Sequence, residues 1–171
     1  LVLHISNFRK VKRVQDVMHV FSNLLNRGLK AKLLMVGDGP ERNNAEILCR
    51  ELGTCAHTAF LGKVKNTEAV LSGADLFLLP SETESFGLAA LEAMASGVPV
   101  ISSNTGGLPE VNQHEKTGYL CEVGDTERMA EYAYQLLSDA DLLNTFKKQA
   151  RVWAEQFAIQ RILPRYEALY E

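Results

Sequence analysis

The sequence predicts an α/β fold, a Rossmann-like doubly wound parallel sheet with helices on both faces. Three observations carry this expectation. Short apolar runs rich in β-branched residues alternate with amphipathic stretches of helical spacing, no hairpin signal joins two strand-like runs, and no repeat, linker or low-complexity segment divides the chain. At 171 residues, 46% apolar and 23% charged, the chain suits one such domain with a core of its own.

Leu1 to Ile5 reads as the first strand, followed by a polar basic loop, Ser6-Asn7-Phe8-Arg9-Lys10-Val11-Lys12-Arg13. Val14, Val17, Phe21, Leu24 and Leu25 recur at helical spacing until Gly28 stops the helix. Ala31 to Gly37 is a second buried strand. Pro40 suits the first turn of the next helix, whose inner face is Ala45, Leu48, Cys49 and Leu52. Gly37 and Gly39 form a G-x-G, but the third glycine of the dinucleotide fingerprint would fall at Arg42, so these glycines read as a tight turn facing the cleft. Thr58 to Leu61 is a short strand. It leads through Gly62-Lys63-Val64-Lys65-Asn66 into a short helix ending at Ser72 or Gly73.

Leu76 to Leu79 is the central strand, Gly87 restarts the chain as a helix, Gly97 closes it, and VPVIS supplies the next strand. A short helical turn is expected after Gly106-Gly107-Leu108-Pro109-Glu110, and Gly118 to Cys121 is a last short strand. Asp125 or Thr126 caps a helix with Met129, Ala133, Leu136 and Leu137 inward. Leu142, Phe146, Ala150 and Trp153 mark another helix, and Ile159 to Tyr170 a third, bent at Pro164.

A net charge of −3 and a pI near 5.9 give no footprint for nucleic acid or an anionic membrane. No apolar run approaches the roughly 18 to 20 residues that span a bilayer, and no signal peptide opens the chain, so a cytoplasmic location is expected. Cys49, Cys55 and Cys121 are odd in number and lack C-x-x-C spacing, which points to buried thiols rather than disulfides or zinc. The four histidines show no metal-ligand spacing. His4, at the end of the first strand, is more often a hydrogen-bonded core residue than a site residue. Leu1 already stands inside a strand, so the chain reads as a piece of something longer.

The chemistry concentrates between Leu76 and Gly107. In a parallel sheet this strand, loop and helix place Glu84 and the helix amino terminus together at the carboxyl edge, where doubly wound folds bind ligands. Unpaired amides and about half a positive charge at that terminus favour a phosphate. Glu84 and Glu92 flank it, with Glu92 about 7 to 8 Å up the helix axis. Carboxylates repel phosphate, so they suit hydroxyls on either side of it, those of a ribose and of a sugar. The ligand implied is a nucleotide sugar. Each acid also has a plainer account, Glu84 as a helix-entry acid and Glu92 as a solvated side chain. Glu92 stands in a helix apolar nearly all round, where an acid wants a partner. On the same edge, Arg9 and Lys12 suit a diphosphate, although the basic loop can equally be a solvated turn. A glycoside hydrolase would also use two acids, but an anion site between them is foreign to a simple glycoside.

Several motifs occur in order: VGDGPE at 36 to 41, FLGKVKN at 60 to 66, Glu84 and Glu92 separated by seven residues in ESFGLAALE, EAMASGVPVI at 92 to 101, GGLPE at 106 to 110, and TGYLCEVGD at 117 to 125. Across essentially its whole length the chain resembles the carboxyl-terminal, donor-binding domain of GT-B-fold retaining glycosyltransferases of family 4. HISNFRKVKRVQDV and SETESFGLAALEAMASGVPVISSNTGGLPEV look like those members that join N-acetylglucosamine to L-malate for bacillithiol. The resemblance implies that Glu84 holds donor-sugar hydroxyls, that the amides of Phe86, Gly87 and Leu88 meet sugar or phosphate oxygens, and that Glu92 takes the ribose. It implies further that Lys12 stabilises the diphosphate and that Lys63 and Val64 border the uracil. Ser6, Asn7 and Gly37 complete the expected donor site. Asn7 stands where the family usually has arginine, so Arg9, or failing that Arg13, is expected to supply the charge. The resemblance implies a UDP-sugar as substrate, no cofactor, no metal, and an acceptor domain on an amino-terminal half that is absent from these residues.

Overall fold

The computed structural model describes residues 1–157. Among them six strands form one all-parallel sheet: β1 (Val2–Ile5), β2 (Leu33–Val36), β3 (Thr58–Gly62), β4 (Leu76–Leu79), β5 (Val100–Ser103) and β6 (Gly118–Cys121), in the order β3-β2-β1-β4-β5-β6. The helices are α1 (Val14–Asn26), α2 (Arg42–Glu51), α3 (Thr67–Ser72), α4 (Leu88–Ala95), α5 (Leu108–Val111), α6 (Thr126–Ser138) and α7 (Ala140–Ala154). The expected doubly wound fold is therefore present. The expected bent helix from Ile159 to Tyr170 lies outside the described residues.

Alternation along each strand divides the core in two. Val2, Leu33, Met35, Leu76, Leu78 and Ile101 point to one face, covered by α1, α2 and α6. Leu3, Val36, Phe77, Leu79 and Val100 point to the other, covered by α3, α4, α5 and α7. Both faces being covered is why these strands read as nearly continuous apolar runs rather than alternating ones. Phe21 and Leu24 of α1 are fully buried, each contributing about 1.5–3 kcal/mol by leaving water.

Helix ends follow from local chemistry. Asp125 accepts the Arg128 amide at 3.0 Å and Asp139 that of Leu142 at 3.0 Å, capping α6 and α7. After α4, Gly97 N donates to Met94 O and Val98 N to Ala93 O, satisfying carbonyls the helix leaves free. Pro40 lies just ahead of α2 rather than in its first turn: the helix begins at Arg42 behind Glu41, and Glu41 N donates to Phe8 O at 2.9 Å. That bond ties α2 to the basic loop instead. The expectation of three buried thiols fails at one position, because Cys55 is exposed while Cys49 and Cys121 are buried.

Strand order reverses between β1 and β4. From β1 the chain moves outward to β2 and β3, then crosses back to β4 and continues to β5 and β6. The loops after β1 and β4 therefore diverge to opposite faces and leave a crevice between them at the carboxyl edge.

Candidate functional site

That crevice is a cleft of about 460 Å³, lined on the β1 side by Ser6, Asn7 and Lys12 and on the β4 side by Glu84 through Ala89 and Glu92. Its size falls within the roughly 300–1,000 Å³ of small-molecule sites. Two loops 72 residues apart in sequence meet across it. Lys12 Nζ donates to Glu84 Oε1 in an ion pair whose side chains are 21% and 13% exposed, enough burial to limit screening by solvent. Ser81 Oγ, fully buried, donates to the same carboxylate oxygen at 3.1 Å. Glu82 N donates to Val11 O at 2.7 Å and joins the two loop backbones.

The Glu84 loop is held from behind by Gly106 and Gly107. Gly107 N donates to Glu84 O at 3.1 Å, and Gly106, at φ +55°, lies so close that a Cβ there would fall 1.7 Å from the same carbonyl oxygen. Only glycine combines that backbone with that approach. Gly87, at φ +83°, then turns the chain into α4. No side chain among the described residues caps this helix end, so its first amides, beside Glu84 and Lys12, are open to an anion.

On the other side His4 organises the first loop. Its ring is fully buried, with Nδ1 2.8 Å from Leu78 O and Nε2 2.8 Å from Ser6 Oγ. A carbonyl can only accept, so Nδ1 carries the proton and Nε2 accepts from Ser6, whose oxygen in turn accepts from Phe8 N at 3.2 Å. Burial lowers the His4 pKa to about 4, which keeps the ring neutral and the chain of bonds intact.

Ser6, Asn7, Lys12, Glu84, Phe86, Gly87, Leu88 and Glu92 of the expected site thus share one cleft. Ser6 lines it with its hydroxyl already engaged by His4 and Phe8. Glu92 stands exposed on α4 and its carboxylate makes no hydrogen bond among the described residues; the buried face is Ala90, Ala93 and Met94. The helix expected to be apolar nearly all round has an exposed flank here, and the partner its acid wants is not supplied by any described side chain. Four expected residues lie elsewhere. Arg9 is exposed ahead of the 3-10 turn Lys10–Lys12 and does not line the cleft. Arg13 is no substitute, since its Nε donates to Asp16 at 2.6 Å. Gly37 is buried behind Ser6 rather than facing the cleft, and a Cβ there would fall 1.7 Å from Ser6 O. Lys63 is exposed beyond β3, and Val64 packs against the second core.

Sequence reasoning missed Ser81 and the part played by His4. The first is one serine after a Pro80 that ends the strand, with no spacing to mark it; the second is visible only once Ser6 and Leu78 are brought to its two ring nitrogens. Phe86 and Leu88, 44% and 62% exposed, give the cleft an apolar rim. Among the described residues no group of three or more His, Cys, Asp or Glu is placed to hold a metal, and no helix is long and apolar enough to cross a membrane.

Comparison with known proteins shows the family and the fold. The N-acetyl-alpha-D-glucosaminyl L-malate synthase of Bacillus anthracis is 50% identical over 171 residues, 99% of this chain and 45% of that protein. The S. aureus TarM structure, in complex with UDP, has a TM-score of 0.91 at 24% identity, covering 99% of this chain and 35% of the other. Anabaena HepE with UDP and glucose has a TM-score of 0.85 at 22% identity, covering 98% of this chain and 48% of the other. Identities this low speak to the fold alone, while the chain spans less than half the length of each of these proteins. The glycosyl transferases group 1 family matches residues 1–153, and the chain belongs to that family of glycosyltransferases.

Proposed function

We propose that this domain binds the nucleotide-sugar donor of a retaining glycosyltransferase that transfers N-acetylglucosamine from UDP-N-acetylglucosamine to L-malate, in bacillithiol synthesis. The observation that carries the reading is the meeting of Lys12, Glu84 and the uncapped amino terminus of α4 in one cleft at the sheet's switch point. The choice of sugar and acceptor rests on the 50% identity to the Bacillus anthracis synthase. In this reading the acceptor is held mainly by a second domain outside these 171 residues.

The difficult step is departure of the nucleotide diphosphate from the anomeric carbon. Charge develops on the leaving oxygen, and donors already aimed at that position stabilise it without reorganising. Lys12 supplies a full charge and the first amides of α4 a partial one, at one end of the cleft. Glu84, accepting from Lys12 and Ser81 on one oxygen, keeps its other oxygen for a sugar hydroxyl. Glu92, one and a half turns up α4 and exposed, is free to take the ribose hydroxyls. With Arg9 outside the cleft lining and Arg13 paired to Asp16, the cationic contribution rests on Lys12. No metal is needed for this charge stabilisation, which is why the test includes a chelator.

Calorimetric titration with UDP, UDP-N-acetylglucosamine and ADP-glucose in chelator tests the reading. Selective UDP binding, weakened at least ~10-fold by Lys12→Ala and by Glu92→Ala, is the expected result. Malate is then tested as acceptor with the full-length enzyme. A full-length enzyme that binds none of the three would overturn the donor-site reading, and transfer to another acceptor only would overturn the choice of malate.

A further inference from the structure

Two cysteines that the cleft does not use sit together at the far end of α2. Cys49 lies in the last turn of that helix, buried in the first core, and Cys55 begins the 3-10 turn Cys55–His57 that leads into β3. The chain reverses between them within a few residues, as Gly53 N donates to Arg50 O at 3.1 Å and Thr54 N to Cys49 O at 3.0 Å. This return sets Cys55 Sγ 2.7 Å from Cys49 Sγ. Thr54 Oγ1 sits 3.6 Å from Cys49 Sγ, so the reversal brings both a hydroxyl and a thiol onto the buried sulfur. One sulfur is buried and its neighbour exposed, the arrangement in which an outer thiol meets a reagent and an inner one resolves the product.

We propose that Cys49 and Cys55 are a site of reversible oxidative modification that closes to a disulfide with a low-molecular-weight disulfide, RSSR, as oxidant. The Cys55 thiolate attacks one sulfur of RSSR, forming Cys55–S–SR and releasing RS⁻. The Cys49 thiolate then attacks the Cys55 sulfur, breaking its bond to SR, forming the Cys49–Cys55 bond and releasing a second RS⁻. The two thiol protons end on the two RS⁻ ions. Two protein thiols are oxidised by two electrons, and one RSSR is reduced to two RSH. The hydrogen bond to Cys49 raises the Cys55 pKa, so its thiolate is scarce at neutral pH and exchange there is slow. Cys121 is the internal control: it lies on β6, at the opposite edge of the sheet, where burial pushes its thiol up to about 12.

The protein is incubated natively with oxidised glutathione at about pH 8, quenched with iodoacetamide and digested with trypsin, which cuts after Arg50 and separates the two cysteines. The expected product is peptide 43–50 joined to peptide 51–63, lost on reduction, with Cys121 alkylated. Cys121→Ser retains the linkage. Cys49→Ser leaves Cys55 as a persistent glutathione mixed disulfide, because nothing resolves it. The proposal is overturned if wild-type protein accumulates that mixed disulfide without the linked pair, if the linked peptides include Cys121, or if all three thiols remain alkylated.

Discussion

At the scale of the residue, the site is a set of polar atoms whose partners leave few alternatives. Ser81 touches the cleft only through Glu84, so on the donor-site reading it is a positioning residue. Ser81→Ala removes one of the two hydrogen bonds to Oε1, about 1 kcal/mol. UDP-N-acetylglucosamine affinity should fall about 5-fold while UDP affinity stays unchanged, because UDP lacks the sugar that Glu84 would hold. Equal losses for both ligands would assign Ser81 a general structural role. His4 makes a different prediction. The fold favours its neutral ring, so between about pH 4 and 6.5 the unfolded chain binds a proton that the folded chain does not. This contribution to stability is intact above pH 6.5 and is lost progressively as pH falls toward 4, the loss reaching about 2 kcal/mol at pH 5. Urea unfolding at pH 8 and pH 5 should show that difference in wild type and a smaller one in His4→Gln.

At the scale of the element, the decisive unit is β4, its loop and α4, with the turn after β5 clamped behind it. Gly106→Ala would drive a methyl into the Glu84 carbonyl at a backbone conformation that alanine resists. The loop must shift, taking Glu84 away from Lys12 and Ser81. Donor affinity should fall more than about 10-fold and Tm by several degrees, read by titration and calorimetry on the same sample. A variant that keeps Tm and affinity would show that the loop has slack the close packing does not suggest. This clamp was half legible: GGLPE is a recognisable motif, but that its glycines serve residue 84 rather than their own turn depends on β5 lying beside β4.

At the scale of the whole molecule, α7 couples the two cores. Phe146 near its middle belongs to the first core, while Ala150 and Ala154 towards its end belong to the second, and Trp153 Nε1 donates to Val111 O at 2.7 Å. Phe146→Ala should cost about 3 kcal/mol. Because Trp153 is the single tryptophan, its fluorescence reports the second core while the lesion sits in the first. Fluorescence and circular dichroism should shift to the same lower urea midpoint, in one transition. Two separated midpoints would show that the layers unfold independently.

The sequence by itself determined the class of fold, the order of elements, the two acids and the glycines around them, because these depend on periodicity, turn chemistry and short-range spacing. Apart from Arg9, the expected residues that stand on the two loops flanking the β1/β4 switch point came together for that reason, Lys12 beside Glu84 among them. Tertiary structure decided the rest. It left Arg9 exposed outside the cleft lining, committed Arg13 to Asp16, set Gly37 behind Ser6 and Val64 in the second core, and exposed the flank of Glu92. It also turned His4 into a buried support and brought Cys55 onto Cys49. The physical reason is that a motif fixes which residues are near in the chain, whereas the direction of a side chain and its partners are set by elements packed from far along the sequence.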